Sequence, residues 1–247
     1  MFWPDVIDLK MFYASAQGRV VAESIYARIR ECWGEPHEGE RILGVGFTHH
    51  YLAHCLGHAE RVINLMPAAQ GAIHWPMEQT EYGNLTFMAS EGEIPLAEES
   101  VHRILLVHSL ENTEQLRQIM RELWRVLAPG GRILAVVPNR QGKWARQPGG
   151  PFAHGHSFTA SQLRKLMREH QFTPSESHYA LFTPPLRLNF ILKSRAVFES
   201  IGNRLCPVFG GVLLMEGEKQ IYAARAETTA RTRKKNVYVP ATQPVLG

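Results

Sequence analysis

The segment from Val101 to Pro138 constrains the fold most, because two apolar runs flank one amphipathic stretch. Val101 to His108 is a continuous apolar run, as expected for a strand that helices cover on both faces. Apolar residues then recur at three- and four-residue steps up to Leu127, which predicts a helix. Pro129-Gly130-Gly131 is expected to end this helix, and Arg132 to Pro138 is the next strand. A strand, a helix and a strand in direct succession indicate a parallel sheet with a crossover connection.

The same alternation extends over most of the chain. Asn112 with Gln115 three residues later resembles a capping box at the start of the helix just described. Strands are predicted at Glu40–Phe47, Arg61–Met66, Leu85–Ala89 and Ser175–Phe182, and helices at Ser15–Trp33, Tyr51–Leu56 and Ser161–His170, the last capped by Thr159. Gly211–Ala224 reads as a long strand or as a hairpin bent at Gly217. The pattern predicts an α/β fold with a doubly wound, mostly parallel seven-stranded sheet and helices on both faces.

The charge distribution suggests how the chain is organised. The net charge of +4 arises almost wholly from residues 225–247, whose composition favours a disordered, basic tail. Residues 1–224 are expected to form one domain, with a helical insertion at about 186–205. A basic tail can contact RNA, but a body close to neutral argues against nucleic acid as the partner.

Composition also bears on compartment and metal content. The 3 cysteines are widely spaced and odd in number, and no stretch has the length or apolarity of a membrane span or secretory signal. The chain is therefore expected to be cytoplasmic, with reduced thiols. His50, His54 and His58 would share one helix face, but Gly57 interrupts that helix and no carboxylate lies among them, so no metal site is predicted.

One segment carries a family resemblance. The stretch Glu91–Asn139 has an acid before a Leu-Pro-like pair, then a strand, then a helix ending in Arg125-Val126-Leu127-Ala128-Pro129-Gly130-Gly131. It resembles the fourth-strand to fifth-strand region of class I S-adenosylmethionine-dependent methyltransferases of type 11. The resemblance covers about residues 15–140 and implies the doubly wound fold, S-adenosyl-L-methionine as cofactor and transferase activity.

The cofactor motif that the resemblance implies is degenerate here. The family ends its first strand in an acid followed by Gly-x-Gly-x-Gly, whereas this chain reads Leu43-Gly44-Val45-Gly46-Phe47-Thr48-His49-His50. Gly44 stands in place of the acid, Gly46 matches a loop glycine, and Thr48 and His50 replace the later glycines. Met66 ends the second strand, where the family has an acid for the ribose hydroxyls. A lost charged acceptor weakens binding by about 1.5–3 kcal/mol.

The resemblance also implies the remaining site residues. Gly44, Gly46, Phe47 and Met66 are the predicted cofactor-binding residues on the first two strands. Ser90, Glu91 or Glu93 falls where the family places an acidic partner of the adenine amino group, and Glu91 is the predicted one of the three. His108 and Ser109 end the fourth strand, where the methyl group would point. Tyr13 could close over the cofactor as an N-terminal lid. His154 or His156, in the loop after the fifth strand, is a candidate general base for the acceptor.

Two classes of function remain open from the sequence. The first is a methyltransferase acting on a small molecule, in which positioning does most of the catalysis and few obligatory side chains are needed. The second is a catalytically inactive relative that keeps the fold and serves as a binding or regulatory partner of another protein. An RNA methyltransferase is a third reading, motivated only by the basic tail.

Overall fold

The computed structural model of the chain describes residues 3–77, 81–147, 150–184 and 207–220. Seven strands and five α-helices lie in these ranges: α1 Val6–Ala14, α2 Ala16–Trp33, β1 Arg41–Gly46, α3 His49–Leu52, β2 Arg61–Pro67, β3 Thr86–Ala89, β4 Val101–Val107, α4 Leu116–Val126, β5 Leu127–Pro138, α5 Ala160–Glu169, β6 Phe172–Ala180 and β7 Val212–Lys219. The helix predicted at about 186–205 and the tail 225–247 lie outside the described residues.

All seven strands form one sheet in the order β3-β2-β1-β4-β5-β7-β6. The pairs from β3 to β5 are parallel, and β7 runs antiparallel between β5 and β6. The strand order reverses direction between β1 and β4, so their carboxyl ends border a crevice at the sheet edge. The predicted doubly wound, mostly parallel seven-stranded sheet is confirmed.

The core has two layers because successive residues of each strand point to opposite faces. In β4, Leu105 and Val107 pack in the cluster beneath α1, α2 and α3, whereas Ile104 and Leu106 pack in the cluster beneath α4 and α5. Both faces of the central strands are therefore buried from solvent, which explains why the run from Val101 is largely apolar. No described helix is long and apolar enough to cross a membrane.

Two predicted helix boundaries are wrong at α4. Gln115 is itself the N-cap residue and makes no side-chain cap; the hydroxyl of Thr113 instead accepts a 3.0 Å hydrogen bond from the Gln115 amide. The helix ends at Val126, before Pro129-Gly130-Gly131, because Leu127 already pairs with Val101 in β5. Pro129-Gly130-Gly131 lies where the register between β4 and β5 shifts, directly after this pair. The capping box at Thr159 with Gln162 is present at the start of α5.

The tertiary structure decides between the two alternatives for the last strand and corrects one predicted helix. β7 is a single strand, as one alternative had it, and Gly217 lies within it rather than at a bend. A side chain there would press on Met167 and Phe172 at 3.2 Å, so close packing explains this glycine. The helix expected at Tyr51–Leu56 is the short α3, followed by one 3-10 turn at Ala53–Cys55, so His50, His54 and His58 do not share one helix. No group of His, Cys, Asp or Glu within the described ranges is arranged to hold a metal ion.

Candidate active site

Three polar or glycine-containing segments meet at the carboxyl edge of the sheet: the turn after β1, the residues after β2, and the residues after β4. α1 lies across this edge and is tied to it by the Val6 amide, which donates to the carbonyl of Gln70 at 3.0 Å. In open α/β sheets, ligands bind in this position, so the edge is the candidate active site.

The turn after β1 depends on Gly46. Its φ of 88° is in the left-handed region, and a Cβ there would lie 2.2 Å from the Val107 carbonyl oxygen of the neighbouring strand. Only glycine fits such an approach. The next residue, Phe47, is fully buried, and its amide donates to the same Val107 carbonyl at 2.9 Å. The turn that the sequence motif predicted is therefore built at Gly46.

Gly44 is buried in β1, opposite Asn64 of β2. A Cβ at Gly44 would lie 2.0 Å from Thr48 Oγ1 and 2.6 Å from Leu52 Cδ1. The Thr48 hydroxyl uses this space to donate a 2.6 Å hydrogen bond to Oδ1 of Asn64. The glycine in place of the acid and the threonine in place of a glycine thus belong to one packing arrangement.

Tyr13 of α1 covers this turn. Ser15 ends α1 by its amide contact with the Phe12 carbonyl, and its hydroxyl accepts from the Gly18 amide to begin α2, so one residue sets the angle between the helices. The Tyr13 ring stacks on Phe47 with 5.4 Å between centroids. Burial, the neighbouring Tyr51 and the charge of Glu111 hold the pKa of Tyr13 well above its usual value. Its phenol is therefore a proton donor.

The end of β4 places four polar residues inside the protein: His108, Ser109, Glu111 and Asn112. The Tyr13 hydroxyl and His108 Nε2 are 2.8 Å apart, and Glu111 Oε1 lies 3.4 Å from His108 Nδ1. His108 Nδ1 and Glu111 Oε1 face each other, but within the described part of the chain no hydrogen bond satisfies Ser109 Oγ or the Asn112 amide group. Buried polar atoms without partners are rare, so Ser109 and Asn112 indicate a place where a ligand can supply them.

A groove of about 390 Å³ is lined in part by Glu114 and Gln115, which follow this cluster in the chain. Its walls come from the residues after β2 and β3, from the start of α4 and from the N-terminal segment: Trp3, Pro67, Ala68, Ala69, Ser90, Glu91, Glu114 and Gln115. Glu91 accepts a hydrogen bond from the Thr113 hydroxyl through one oxygen, while its buried Oε2 has no partner in the described ranges. Burial raises the pKa of Glu91, and the Thr113 bond partly opposes that shift.

The structure brings only some of the sequence-predicted site residues together. Gly46, Phe47, His108 and Ser109 surround Tyr13 or adjoin it, and Glu91 lines the groove on the other side of the loop after β4. Met66 has no exposed surface and packs in the apolar cluster beneath α1 and α2.

His154 and His156 are exposed, in a loop that packs on Glu111. The amide of His156 donates to the Glu111 carbonyl at 2.6 Å, and a Cβ at Gly155 would lie 2.1 Å from that oxygen. Partial burial and the charge of Arg140 lower the pKa of His156, which favours a neutral ring able to accept a proton. A general-base role for either histidine stays a prediction.

Sequence reasoning missed Glu111 and the partner of Tyr13. Glu111 follows the end of β4 by four residues, so an acid beyond a strand's carboxyl end was the available signal. The approach of Tyr13 to His108 joins residues 95 positions apart. It depends on how α1 folds back over the sheet edge, and no local pattern encodes that angle.

The strand order, the antiparallel seventh strand and the glycine turn after β1 define the class I methyltransferase fold. Residues 43–135 match the family model described as a methyltransferase domain. These residues match a methyltransferase family, and the fold of the chain is that of class I S-adenosylmethionine-dependent methyltransferases. Its motif is degenerate at Gly44, Thr48, His50 and Met66.

The chain is similar to one curated protein, 2-phytyl-1,4-naphtoquinone methyltransferase of Thermosynechococcus vestitus, at 23% identity over 154 residues, or 60% of this chain. It spans 62% of the length of that relative. A solved S-adenosylmethionine-dependent methyltransferase of Thermotoga maritima shares the fold with a TM-score of 0.59 at 16% identity, over 87% of this chain and 96% of that chain.

Two further solved structures share the fold. The methyltransferase in a complex with the Trm112 activator from Haloferax volcanii has a TM-score of 0.59 at 13% identity, covering 87% of this chain and 98% of that one. Geranyl diphosphate C-methyltransferase of Streptomyces coelicolor, bound to S-adenosyl-L-homocysteine, has a TM-score of 0.53 at 14% identity, covering 82% of each.

The residues present fit the adenosine part of S-adenosylmethionine better than its amino-acid part. The groove beside Glu91 is of ligand size, and its unpartnered carboxylate oxygen suits an amino group. Gln70 adds a second buried acceptor, its unpartnered Oε1, close to His108. At the β1 turn, however, the ring of Tyr13 covers Phe47 and must move before a ligand can reach that backbone.

Proposed function

We propose that this protein is an S-adenosylmethionine-dependent methyltransferase that acts on a small-molecule acceptor. The observation that carries the proposal is the groove of about 390 Å³ that Glu91 lines, together with the buried Oε2 of this residue, which has no hydrogen-bond partner in the described residues. The bound cofactor would supply an electrophilic methyl group on a sulfonium. The protein's contribution would be to hold the acceptor at attack distance and exclude water.

The adenosine end of the cofactor would lie in the groove. Glu91 would accept a hydrogen bond from the adenine amino group, since one of its oxygens is held by Thr113 and the other is free. Ala68 and Ala69, which follow β2, are small enough to leave room for a ring against the groove wall. Met66 does not line this groove, and its role in cofactor binding stays a prediction.

Burial of the acceptor site supports a small molecule. His108 and Ser109 have no exposed surface, and Tyr13 and Phe152 cover the His108 ring. A residue within a folded protein or an RNA helix could not reach this point without large rearrangement. The names of two similar proteins, a naphthoquinone methyltransferase and a geranyl diphosphate methyltransferase, also denote small-molecule acceptors.

Isothermal titration calorimetry with S-adenosylmethionine and S-adenosylhomocysteine tests the proposal. Both ligands should bind, and Glu91→Gln should weaken binding about ten- to hundredfold, the equivalent of one charged hydrogen bond. Glu93→Gln is the matched control, because it removes the same charge from an exposed residue two positions away. If neither ligand gives a heat of binding at millimolar concentration, the proposed methyltransferase activity is rejected.

The second candidate is a binding partner without methyl transfer. It is favoured by the Thr48–Asn64 bond at the place of the family acid and by the Tyr13 ring over the β1 turn. A structurally similar methyltransferase forms a complex with the Trm112 activator, so this fold can serve as a partner. Failure of both ligands to bind, together with co-purification of a defined partner, would support this second function.

A further inference from the structure

Four polar side chains form a buried chain across the candidate active site. The Tyr51 hydroxyl lies 3.2 Å from that of Tyr13, and the Tyr13 hydroxyl lies 2.8 Å from Nε2 of His108. Nδ1 of His108 faces Oε1 of Glu111 at 3.4 Å. These residues come from α3, α1 and the segment after β4, and each is at most 2% exposed.

The hydrogen bonds along this chain can run in one direction. The Tyr51 hydroxyl donates to that of Tyr13, and the single Tyr13 proton can reach His108 when the imidazole is the Nδ1-protonated tautomer. In that tautomer Nε2 of His108 carries a lone pair, and Nδ1 carries the hydrogen that faces Glu111. The Ser109 amide donates to Oε2 of Glu111 at 3.1 Å and so turns the other carboxylate oxygen toward the imidazole.

The backbone at His108 is held in an uncommon conformation. Its φ of 53° is in the left-handed region, which a histidine keeps only where the surroundings fix it. The Gln70 side chain donates to the His108 carbonyl at 3.2 Å, and Phe152 packs against the ring at 4.9 Å. The surrounding structure thus holds the imidazole in one orientation.

The place taken by the Tyr13 ring has the shape of a phenol site. Phe47 stacks on the ring at 5.4 Å with an interplanar angle of 21°, and His50 lies against it at 5.0 Å. The hydroxyl end points at Nε2 of His108 rather than at solvent. An aromatic ring with one hydroxyl group would make the same contacts once the Tyr13 ring has moved.

We propose that His108, oriented by Glu111, is the general base of the methyl transfer, and that the Tyr13 phenol occupies the place of the acceptor's hydroxyl. The acceptor is then a hydroxylated aromatic compound or a similar enol, which enters when α1 withdraws Tyr13. This inference rests on the proposed function, for which it names the acceptor class and the catalytic residue. Glu111 is a positioning residue, because it acts through His108.

The atoms balance in this step. His108 would take the acceptor's proton at Nε2, and the acceptor oxygen would bond to the methyl group that the bound cofactor would supply, with the carbon–sulfur electron pair remaining on the cofactor's sulfur. The resulting imidazolium carries its Nδ1 hydrogen toward Glu111, whose carboxylate offsets the new charge.

Tyr13→Ala provides the first test, because it removes the ring and leaves the cage. The probe is 4-nitrophenol, whose absorbance differs between phenol and phenolate. In this variant, calorimetry should detect binding at least about tenfold tighter than to the wild type, and the bound probe should absorb as phenolate. Equal, weak binding to both proteins would overturn the phenol site.

Two double variants isolate the roles of His108 and Glu111. Tyr13→Ala/His108→Gln should bind the probe at least about tenfold more weakly and as the neutral phenol. Tyr13→Ala/Glu111→Gln should keep the binding but lose most of the phenolate signal, which Tyr13→Ala/Glu111→Asp should partly restore. A phenolate signal that persists without the His108 imidazole would overturn its role as base.

The wild-type protein offers a test that needs no cavity-forming variant. Nitrogen-15 NMR of the histidine rings should show His108 as the Nδ1-protonated tautomer, and a hydrogen on Nε2 would contradict the proposal. Neither the titrations with 4-nitrophenol nor the NMR measurement uses S-adenosylmethionine. Loss of cofactor binding would therefore reject the proposed function, whereas an Nε2 hydrogen would reject this inference alone.

Discussion

The Thr48 hydroxyl donates a 2.6 Å hydrogen bond to Oδ1 of Asn64 in the space that a side chain at Gly44 would need. The family acid is absent from the end of β1, and a polar pair fills the same volume. Two apparently separate departures from the motif, Gly44 and Thr48, are thus linked by packing.

Restoring the acid alone should therefore destabilise the protein. In Gly44→Asp the new Cβ would overlap Thr48 Oγ1, and its carboxylate would face the Asn64 oxygen, so a loss of at least about 2 kcal/mol is expected. In Gly44→Asp/Thr48→Gly the nearest overlap is removed, and the loss should fall short of the sum of the two single losses by more than about 1 kcal/mol. Urea denaturation measures all three variants, and simple additivity would contradict the link.

Gly46 and Gly130 form a matched pair for testing the turn after β1. Both have positive φ, 88° and 68°, but a Cβ at Gly46 would overlap the Val107 carbonyl whereas one at Gly130 would meet nothing within 4 Å. Gly130→Ala should lower the free energy of unfolding by about 1 kcal/mol, the usual effect of backbone strain. Gly46→Ala should lower it by at least about 2 kcal/mol more. Equal losses of unfolding free energy in the two variants would show that the backbone at Gly46 shifts to accept a Cβ, and would contradict the prediction.

His49 should make the protein sensitive to acid. Burial, with the charges of His50 and Lys10, lowers the pKa of His49 to about 3, and neither ring nitrogen has a hydrogen-bond partner in the described ranges. A lowered histidine pKa means that the folded state excludes the proton. Stability is therefore full above the unfolded-state pKa of about 6.5 and is lost as the pH falls toward the folded-state value.

Between about pH 6.5 and pH 4.5, His49 should account for a loss of about 2–3 kcal/mol in unfolding free energy. His49→Leu keeps an apolar contact with Phe47 and should remove that part of the pH dependence, as measured by urea denaturation at both pH values. His58→Gln, at an exposed histidine, should leave the pH dependence as in the wild type. Parallel curves for His49→Leu and the wild type would show that His49 is not the group responsible.

The capping box at Thr159 should contribute measurably to α5. The Thr159 hydroxyl accepts from the Gln162 amide, and the Gln162 side chain accepts from the Thr159 amide at 3.0 Å. Thr159→Ala should reduce the free energy of unfolding by about 1 kcal/mol, and Thr159→Ser, which keeps the acceptor, should restore most of it. The prediction fails if serine and alanine are equally destabilising in thermal denaturation.

Much of the fold could be read from the sequence, because periodicity and glycine or proline stops report local geometry directly. β1, β2, β4, α2 and α5 begin and end within a residue or two of their predicted bounds. The error at α4 and the open choice at β7 share one cause. Leu127 enters β5, where it pairs with Val101, and Gly217 lies in a strand with Met167 and Phe172 packed close to it. Contacts between distant segments decide both places.

At the candidate site the sequence by itself determined the glycine turn at Gly46, the ends of β1 and β4, and the positions where the family motif is lost. The tertiary structure alone decided that Thr48 and Asn64 fill the space of the missing acid, and that Met66 is a core residue. It also brought Tyr13 of α1 to His108 and turned Glu111 toward the same ring. The physical reason is that side-chain chemistry is local, whereas the angle at which α1 folds over the sheet edge is set by packing among residues far apart in the chain.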